Sequence, residues 1–529
     1  MDLISNQFDS KEWRQWGQRR SRKIKLSSYI TIILFCFIAY LPILKSSFLW
    51  NDYDQVIRSF FPSLNSWTEI FKPAILWNEN PIALLSYFLE TLSPFNDAFS
   101  HRLINIALHC FASVLLLKLL NKMHLSGAFV ATLLCAVHPA VVQTLYFPGY
   151  RSIIIALCFL LLSLNYALDR GKKNSYTIAL ILSGISALIH PVALIIPLVL
   201  ILRNFSKYPG FKLEKINKIV PFILIVFVLN IWSETAESNS LASIGIESLA
   251  GVAPEIGAPS LSYQIFEYLR LIYLPTDSAF FIPVSEEAML ENSFIINSLP
   301  AIFFTALYVF CIYFITRIWG RLLIMGLSLI IPLIIFAACQ KSLFLDGSPA
   351  LDEHLVYIAL IPCVVIVFCG LNALFNYMSP GRPIIWLCIA WIVIISSTTL
   401  TFKKSLILSD SLSMWEYFEA QWPESTIPKR AISDYLESSD STNYNLKDQI
   451  RLAEFIVEKE PNDFEKSILL ARLYDDSGQD TNAIKQYKKV VSKVGESMPL
   501  ILNEAADYFE EKGMYWDARK TRALLDKVE

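Results

Sequence analysis

The chain has 529 residues, of which 54% are hydrophobic and only 17% are charged. Soluble domains usually carry about a quarter charged residues, and several apolar runs here approach the ~20 residues that cross a bilayer as a helix. This composition excludes an ordinary soluble protein and indicates a polytopic membrane protein. The net charge of −2 carries little information, because the distribution of basic residues decides the orientation of such a protein.

The apolar runs predict an all-α membrane bundle with about eleven spanning helices. The stretch 175–202 contributes two short spans, because the proline of His190-Pro191 cannot continue a helix. The predicted spans cover roughly residues 26–46, 102–121, 125–146, 152–168, 175–189, 191–202, 218–234, 294–316, 321–339, 355–377 and 384–402.

Lysine and arginine mark the cytoplasmic side of a membrane protein, and here they fall in alternate loops. The basic segment 1–25 has no cleavable signal pattern, so we expect a cytoplasmic N-terminus ahead of an uncleaved anchor. An odd number of spans then predicts an extracytoplasmic domain at 404–529. The membrane domain, 26–403, includes a first outer loop at 47–101 and an outer, interfacial segment at 235–293.

This topology brings polar side chains from distant parts of the chain to the outer face. They are Asp52, Asp54, Arg151, His190 and Glu353. Loop residues without a shared role would scatter between the two sides of the membrane. The convergence therefore predicts a site at the outer membrane surface.

The polar C-terminal part contains a repeat with a period of 34 to 35 residues. Small residues that let helices approach, and a glycine that makes the turn between them, are typical of the tetratricopeptide repeat. The matched pairs are Ala471 with Ala505, Tyr474 with Tyr508, Gly478 with Gly513, and Ala483 with Ala518. Two interpretations stay open: a surface that binds protein partners, and a structural cap without a ligand.

Six sequence blocks carry a family resemblance through their order along the chain. The blocks are FLWNDYDQVI, NPIALLSYFLE, RLINIALH, AVHPAVVQTLYFPGYRSIIIAL, YLRLIYLP and DEHLVYIAL. Followed by the repeat tail, they resemble the transmembrane and tetratricopeptide-repeat O-mannosyltransferases and their bacterial relatives. The likeness covers nearly the whole chain, and the order of the blocks is more specific than any single block.

The resemblance implies a multi-span glycosyltransferase of the GT-C class. Such an enzyme transfers a sugar from a polyprenyl-phosphate carrier to a protein or glycan hydroxyl on the extracytoplasmic face. The implied partners are the lipid-linked donor, the acceptor, membrane lipids and proteins docked on the repeat tail. The implied location is a membrane crossed many times, which for the bacterial relatives is the inner membrane.

Asp52 is the candidate base that takes the proton of the acceptor hydroxyl, since it lies at the membrane surface in the first-loop block. Asp54 is the second candidate, but two residues along a helix it would point away from Asp52. The alternative is a solvated pair that ends the first span. A further alternative is a divalent cation that both carboxylates hold with the donor phosphate.

Arg151 is the candidate phosphate binder, because the planar guanidinium fits phosphate oxygens and the residue follows a Pro-Gly turn at a helix start. The alternative is an arginine that extends to lipid head groups. Arg102 and Arg270 are second-rank candidates for the same role.

Four further residues are candidates for substrate binding. His138 would hold the acceptor or the phosphate, with a hydrogen-bonded core histidine as the alternative, and His109 is expected to make interhelical hydrogen bonds. His190 stands where the family has a lysine, and Glu353 with Tyr357 would orient donor or acceptor.

No His, Asp or Glu cluster in the sequence matches a zinc site, so no metal site and no certain cofactor is predicted. The sequence also has no glycine-rich phosphate loop and no basic, aromatic-interleaved surface, which argues against a nucleotide-sugar donor and against nucleic acid. Asn51, Asn80 and Gln143 replace charged residues of the family motifs. They motivate a second hypothesis, a catalytically degenerate scaffold whose tail organises an envelope or glycan-assembly complex.

Overall fold

The structure is a computed structural model, and its helices confirm the helical class of the protein. The described residues belong to two compact units, one ending at Ser409 and one beginning at Asp410. The predicted boundary at 404 falls inside the last helix of the first unit, which continues to Ile407. The structure describes residues 26–46, 82, 85–86, 89–90, 98–123, 125, 127–147, 150–169, 174–200, 217–229, 268–275, 281–283, 343–345, 348–352, 356–378, 383–421, 446–459, 461–494 and 498–525.

The first unit is built from apolar helices. Their bounds are α1 Leu26–Lys45, α2 Ala98–Lys122, α3 Ala128–Ala136, α4 Val142–Tyr146, α5 Arg151–Ala167, α6 Ser175–Ile189, α7 Val220–Leu229, α8 Val356–Met378 and α9 Pro383–Ile407. Within the described residues, α1, α2 and α9 are long and apolar enough to cross a membrane, and the bent pair α3 with Pro139–Tyr146 makes a fourth. The predicted spans 294–316 and 321–339 lie outside the described residues.

The first unit also contains a small antiparallel sheet, which the sequence patterns did not predict. Its strands are β1 Phe281–Pro283, β2 Leu343–Leu345 and β3 Ser348–Asp352, in the order β1-β3-β2. Ile282 pairs with Leu351, and Phe344 pairs with Pro349. Strands this short do not produce the repeated alternation by which a strand is recognised in sequence.

Helix α9 separates a buried face from an exposed apolar face. Trp386, Ala390, Ile394 and Thr401 are buried. The opposite face exposes Leu387, Ile392, Ile395, Leu400, Phe402 and Leu406. A continuous exposed apolar surface on a long helix is what a lipid-facing helix presents, so this face supports membrane association.

Helix α2 lies at the centre of the first unit, in contact with α3, α4, α5 and the last turn of α1. Four buried polar residues recur at every fourth position along it: His101, Asn105, His109 and Ser113. Residues four apart lie on one face of a helix. α2 therefore carries a polar stripe through an otherwise apolar bundle.

The first unit contains a break between helices α3 and α4. His138 is extended, and Pro139 begins a 3-10 turn that bends the path of the chain by 48°. The break leaves carbonyl groups without their usual partners inside the helix, and a bilayer core offers no water to replace them.

Side chains from three other helices hydrogen-bond to the carbonyls at this break. Ala136 O accepts from His109 Nε2 at 3.0 Å and from Cys36 Sγ at 3.5 Å. Val137 O accepts from Ser397 Oγ at 3.0 Å and from Thr401 Oγ1 at 2.6 Å. His138 O accepts from Tyr40 OH at 3.2 Å. The donors belong to α1, α2 and α9, so the break fixes how these helices pack around α3.

We predict that the double variant Ser397→Ala with Thr401→Val lowers the free energy of unfolding by about 1–2 kcal/mol, because Val137 O loses both hydroxyl donors. Unfolding in mixed micelles measures the change. Thr399→Val is the matched control, since the Thr399 hydroxyl is exposed and bonds Ile395 O of its own helix at 2.8 Å. An equal effect of the two variants would contradict the role assigned to the break.

The second unit consists of helices with a repeated hairpin. Their bounds are α10 Ser411–Gln421, α11 Leu446–Lys459, α12 Phe464–Asp476, α13 Asp480–Val494, α14 Pro499–Glu511 and α15 Tyr515–Leu525. Gly478 and Gly513 end the first helix of each hairpin, both at φ 74°, a left-handed conformation that favours glycine. The predicted repeat thus corresponds to two helical hairpins with matching glycine turns.

Matched positions of the two hairpins also share their packing. Ala471, Ala483, Ala505 and Ala518 are all buried. The rings of Tyr487 and Tyr508 stack with centroids 4.3 Å apart, which joins the first hairpin to the second.

Asp410 begins α10 and ties it to α11. Its carboxylate accepts hydrogen bonds from Ser413 N at 3.1 Å and Ser413 Oγ at 2.6 Å, and from Arg451 Nη1 at 3.1 Å. Burial alone would raise the pKa of Asp410, but the Ser413 hydrogen bonds and the Arg451 guanidinium outweigh it and hold the pKa below its ordinary value.

We predict that this ion pair stabilises the second unit fully at neutral pH and loses its effect as the pH falls through the lowered pKa of Asp410, because the native state then loses its charged acceptor. Asp410→Asn should lower hydrogen-exchange protection of α10 and α11 at pH 7, by about 1 kcal/mol for the lost cap. The difference in hydrogen-exchange protection between the variant and the wild type should disappear in acid. Asp507→Asn, which removes an exposed partner of Arg522, is the control; a difference that persists in acid would contradict the assignment.

Candidate functional site

Buried polar residues gather at one end of the first unit. We name this group, Glu90, His101, Arg102, Asn105 and Arg151, the Arg151 cluster. Arg102, Asn105 and Arg151 are fully buried, and Glu90 and His101 nearly so. Ionisable side chains are costly to bury in a membrane protein and usually face one another or a functional cavity.

The Arg151 guanidinium is bonded through all three of its nitrogens. Nε donates to Asn105 Oδ1 at 2.7 Å, Nη2 donates to His101 O at 3.0 Å, and Nη1 donates to Glu90 Oε1. Glu90 therefore balances the charge of Arg151 as a buried ion pair. Arg151 is the first residue of α5, as its Pro-Gly context predicted.

The second carboxylate oxygen of Glu90 lies against His101 Nδ1. Glu90 Oε2 has no hydrogen-bond partner among the described residues. Arg151 Nη2 also lies 3.3 Å from His101 Nδ1, and it donates to the His101 carbonyl. Arg151 therefore contacts both Glu90 and His101.

Arg102 holds two chain segments together at the same end. Nη1 donates to Ser46 O, Nε donates to Tyr146 O at 3.3 Å, and the guanidinium lies 4.4 Å from the centre of the Tyr146 ring. Asn105 Nδ2 adds a hydrogen bond to Leu145 O at 3.2 Å. The cluster thus fixes the end of α1, the end of α4 and the start of α5.

Two residues near the predicted loop 47–101 reach this cluster: Ser46, immediately before the loop, and Glu90, eleven residues before its end. The candidate bases Asp52 and Asp54 lie in the loop, outside the described residues. Asp52 follows Ser46 by six residues in the sequence.

His190 lies at the same end of the unit. Helices α5 and α6 run antiparallel, since Ser163 Oγ bonds Ala179 O at 2.8 Å and Ser186 Oγ bonds Ala156 O at 2.9 Å. This register brings His190 to the level of Arg151. His190 is half-buried, and its Nδ1 accepts a hydrogen bond from Val192 N at 3.2 Å.

His138 and Tyr357 lie in the packed interior. His138 Nδ1 accepts from Ala140 N at 3.2 Å, and its Nε2 donates to Ile272 O at 2.9 Å. His109 Nε2 donates to Ala136 O, so its Nδ1 accepts from Tyr357 OH at 2.9 Å. The interhelical hydrogen bonds predicted for His109 are confirmed. Both substrate-binding candidates have their polar atoms engaged by the fold.

The remaining candidates fall outside the Arg151 cluster or outside the described residues. Arg270 is half-buried on the short helix 268–273, whose Ile272 carbonyl accepts from His138. Glu353 follows β3 and lies outside the described residues. Within the parts of the chain that are described, no group of three or more His, Cys, Asp or Glu side chains is placed to hold a metal ion.

Two lysines of α2, Lys118 and Lys122, lie at the opposite end of the unit. Lys122 Nζ donates to Asn165 O at 2.7 Å and lies 3.8 Å from Asp169, just beyond the end of α5. Lys118 Nζ lies 5.8 Å from the centre of the Tyr29 ring, near the start of α1. Basic loop residues and the Arg151 cluster thus occupy opposite ends of the bundle.

Glu90 and His101 were not recognised as site residues from the sequence. Glu90 stands in an apolar block and has no charged neighbour along the chain within several residues. His101 and Arg102 together open the polar stripe of α2, and that fourfold spacing was the signal available for His101. The partner of Arg151 comes from 61 residues earlier in the chain, so local pattern could not show it.

Comparison with known proteins adds no assignment: the chain matches no family model and no curated protein.

We predict that Glu90→Leu and Arg151→Leu each lower the free energy of unfolding by about 3–5 kcal/mol, because each leaves the other charge buried alone. The double variant should cost less than the sum of the two single costs, as a double-mutant cycle measures. Asp169→Asn, which breaks a partly exposed pair with Lys122, should cost below about 1 kcal/mol. Additive costs for Glu90 and Arg151 would show that the two side chains do not interact.

Proposed function

We propose that the protein is an integral-membrane glycosyltransferase of GT-C type, which transfers a sugar from a polyprenyl-phosphate carrier to a protein or glycan hydroxyl outside the cytoplasm. The observation that carries the proposal is the Arg151 cluster. Arg102 bonds Ser46 O at the end of α1 and Tyr146 O at the end of α4, and Arg151 pairs with Glu90. These contacts support a site in which the block that contains Asp52 lies beside the block that contains Arg151.

Transfer to a hydroxyl needs a base for the acceptor proton and a positive group for the departing phosphate. In the proposal Asp52 is the base, with Asp54 as the weaker candidate. Arg151 binds the phosphate, and Arg102 adds positive potential beside it. His190, at the level of Arg151, contacts the donor or the acceptor.

The proposed topology has about eleven spans, with the N-terminus in the cytoplasm and the C-terminal unit outside. The separation of Lys118 and Lys122 from the Arg151 cluster supports this orientation, since it assigns the lysine end to the cytoplasm and the cluster to the outer face. The helical hairpins of the second unit would be a tetratricopeptide-like array that recruits the acceptor or a protein partner.

One observation favours the second candidate function, a catalytically degenerate scaffold. Glu90 already balances the charge of Arg151, and the Arg151 side chain is fully buried. A phosphate has no access to the guanidinium in this arrangement. A scaffold would keep the ion pair permanently, whereas an enzyme must open it.

We predict that Asp52→Asn reduces sugar transfer by at least about a hundredfold, because the amide cannot accept the proton of the acceptor hydroxyl. The assay follows loss of labelled sugar from polyprenyl phosphate in membrane vesicles that contain the full-length protein. Helix content and unfolding temperature should be unchanged. Asp169→Asn, at the opposite end of the bundle, is the control that should keep full activity. Equal transfer by Asp52→Asn and wild type would refute the role of Asp52.

A further inference from the structure

The arrangement around Arg151 is that of an occupied anion site. Arginine presents a planar fork that binds two oxygens of a carboxylate or a phosphate. At Arg151 one arm of this fork, Nη1, is taken by a Glu90 oxygen, while Nε is held by Asn105 and Nη2 by the His101 carbonyl. An anionic ligand therefore competes with Glu90 for Nη1.

Glu90 also lies against a second side chain, that of His101. Its other carboxylate oxygen lies against His101 Nδ1, and His101 is on α2 whereas Arg151 is on α5. In the described part of the chain this oxygen has no hydrogen-bond partner, so the carboxylate can leave Arg151 by breaking its bond to Nη1. Asn105, which also bonds Leu145 O, holds the Arg151 side chain in place while this happens.

We propose that Glu90 is an internal competitor for phosphate at Arg151: it occupies the guanidinium in the resting state and sets how strongly an anionic lipid head group binds. The inference deepens the proposed function, since it rests on Arg151 as the phosphate-binding residue. Glu90 acts through Arg151 and is a positioning residue. A polyprenyl phosphate binds by displacing the Glu90 carboxylate from Arg151 Nη1.

The test compares binding of undecaprenyl phosphate to full-length wild type and to Glu90→Gln in phosphatidylcholine nanodiscs. Glutamine keeps an oxygen that accepts from Nη1 but removes the competing charge. We expect Glu90→Gln to bind the lipid at least about tenfold more tightly, in the range that close charge pairs produce. Undecaprenol, which lacks the phosphate, should bind both proteins equally.

Two further variants make the result specific. Asp169→Asn changes an acid to an amide at the opposite end of the bundle and should leave lipid affinity unchanged. Arg151→Gln combined with Glu90→Gln should lose the gain, because the neutral pair offers no cation to the phosphate. If Glu90→Gln does not fold, Glu90→Asp replaces it; the shorter acid reaches Arg151 less well and should give a smaller gain.

The proposal is overturned if a folded Glu90 variant binds undecaprenyl phosphate no more tightly than wild type, which is the result for a purely structural ion pair. It is also overturned if the gain survives in the Arg151 double variant. These outcomes are separate from the proposed function. A gain in lipid affinity in a protein that transfers no sugar would refute the enzyme and leave the competition between Glu90 and phosphate intact.

Discussion

The packing of the first unit depends on the carbonyl groups that the α3–α4 break exposes. A buried carbonyl without a donor costs about 1–3 kcal/mol, and the apolar interior has no water to compensate. Ala136 and Val137 therefore need side-chain donors from elsewhere, and they receive them from α1, α2 and α9. The His138 carbonyl accepts from Val141 N and also from Tyr40 OH of α1. A bend in one helix thus specifies the neighbours of that helix more strictly than apolar packing would.

The Arg151 cluster follows a related constraint with charges in place of carbonyls. Burying an ion pair costs several kcal/mol per ion, which the attraction offsets only when other groups complete the hydrogen bonding. Asn105 and the His101 carbonyl supply those bonds, and both belong to the polar stripe of α2. The same stripe supplies His109 to the α3 break. One helix therefore supports both the break and the cluster, which explains its central position.

Sequence patterns predict the parts of this protein that depend on local chemistry. The helical repeat was predictable, because Gly478 and Gly513 each provide the left-handed turn that ends a helix. The start of α5 at Arg151 was predictable for a similar reason, since a Pro-Gly turn precedes it. Glu90 could not be recognised as a site residue from the sequence, because the side chains that it contacts belong to α2 and α5 and no spacing rule connects them to it. The three-stranded sheet was not predicted, because its strands are too short to show a recognisable alternation of apolar and polar residues.

In the two His-Pro motifs of the chain, a local hydrogen bond fixes which ring nitrogen of the histidine carries the proton. In both His138-Pro139 and His190-Pro191 the histidine precedes a 3-10 turn, and its Nδ1 accepts the N–H two residues on, at 3.2 Å. A neutral imidazole whose Nδ1 accepts must carry its proton on Nε2. His138 uses that proton on Ile272 O. His190 has the same contact and therefore the same tautomer, so the His-Pro motif fixes the ring of this histidine in the same way at the level of Arg151.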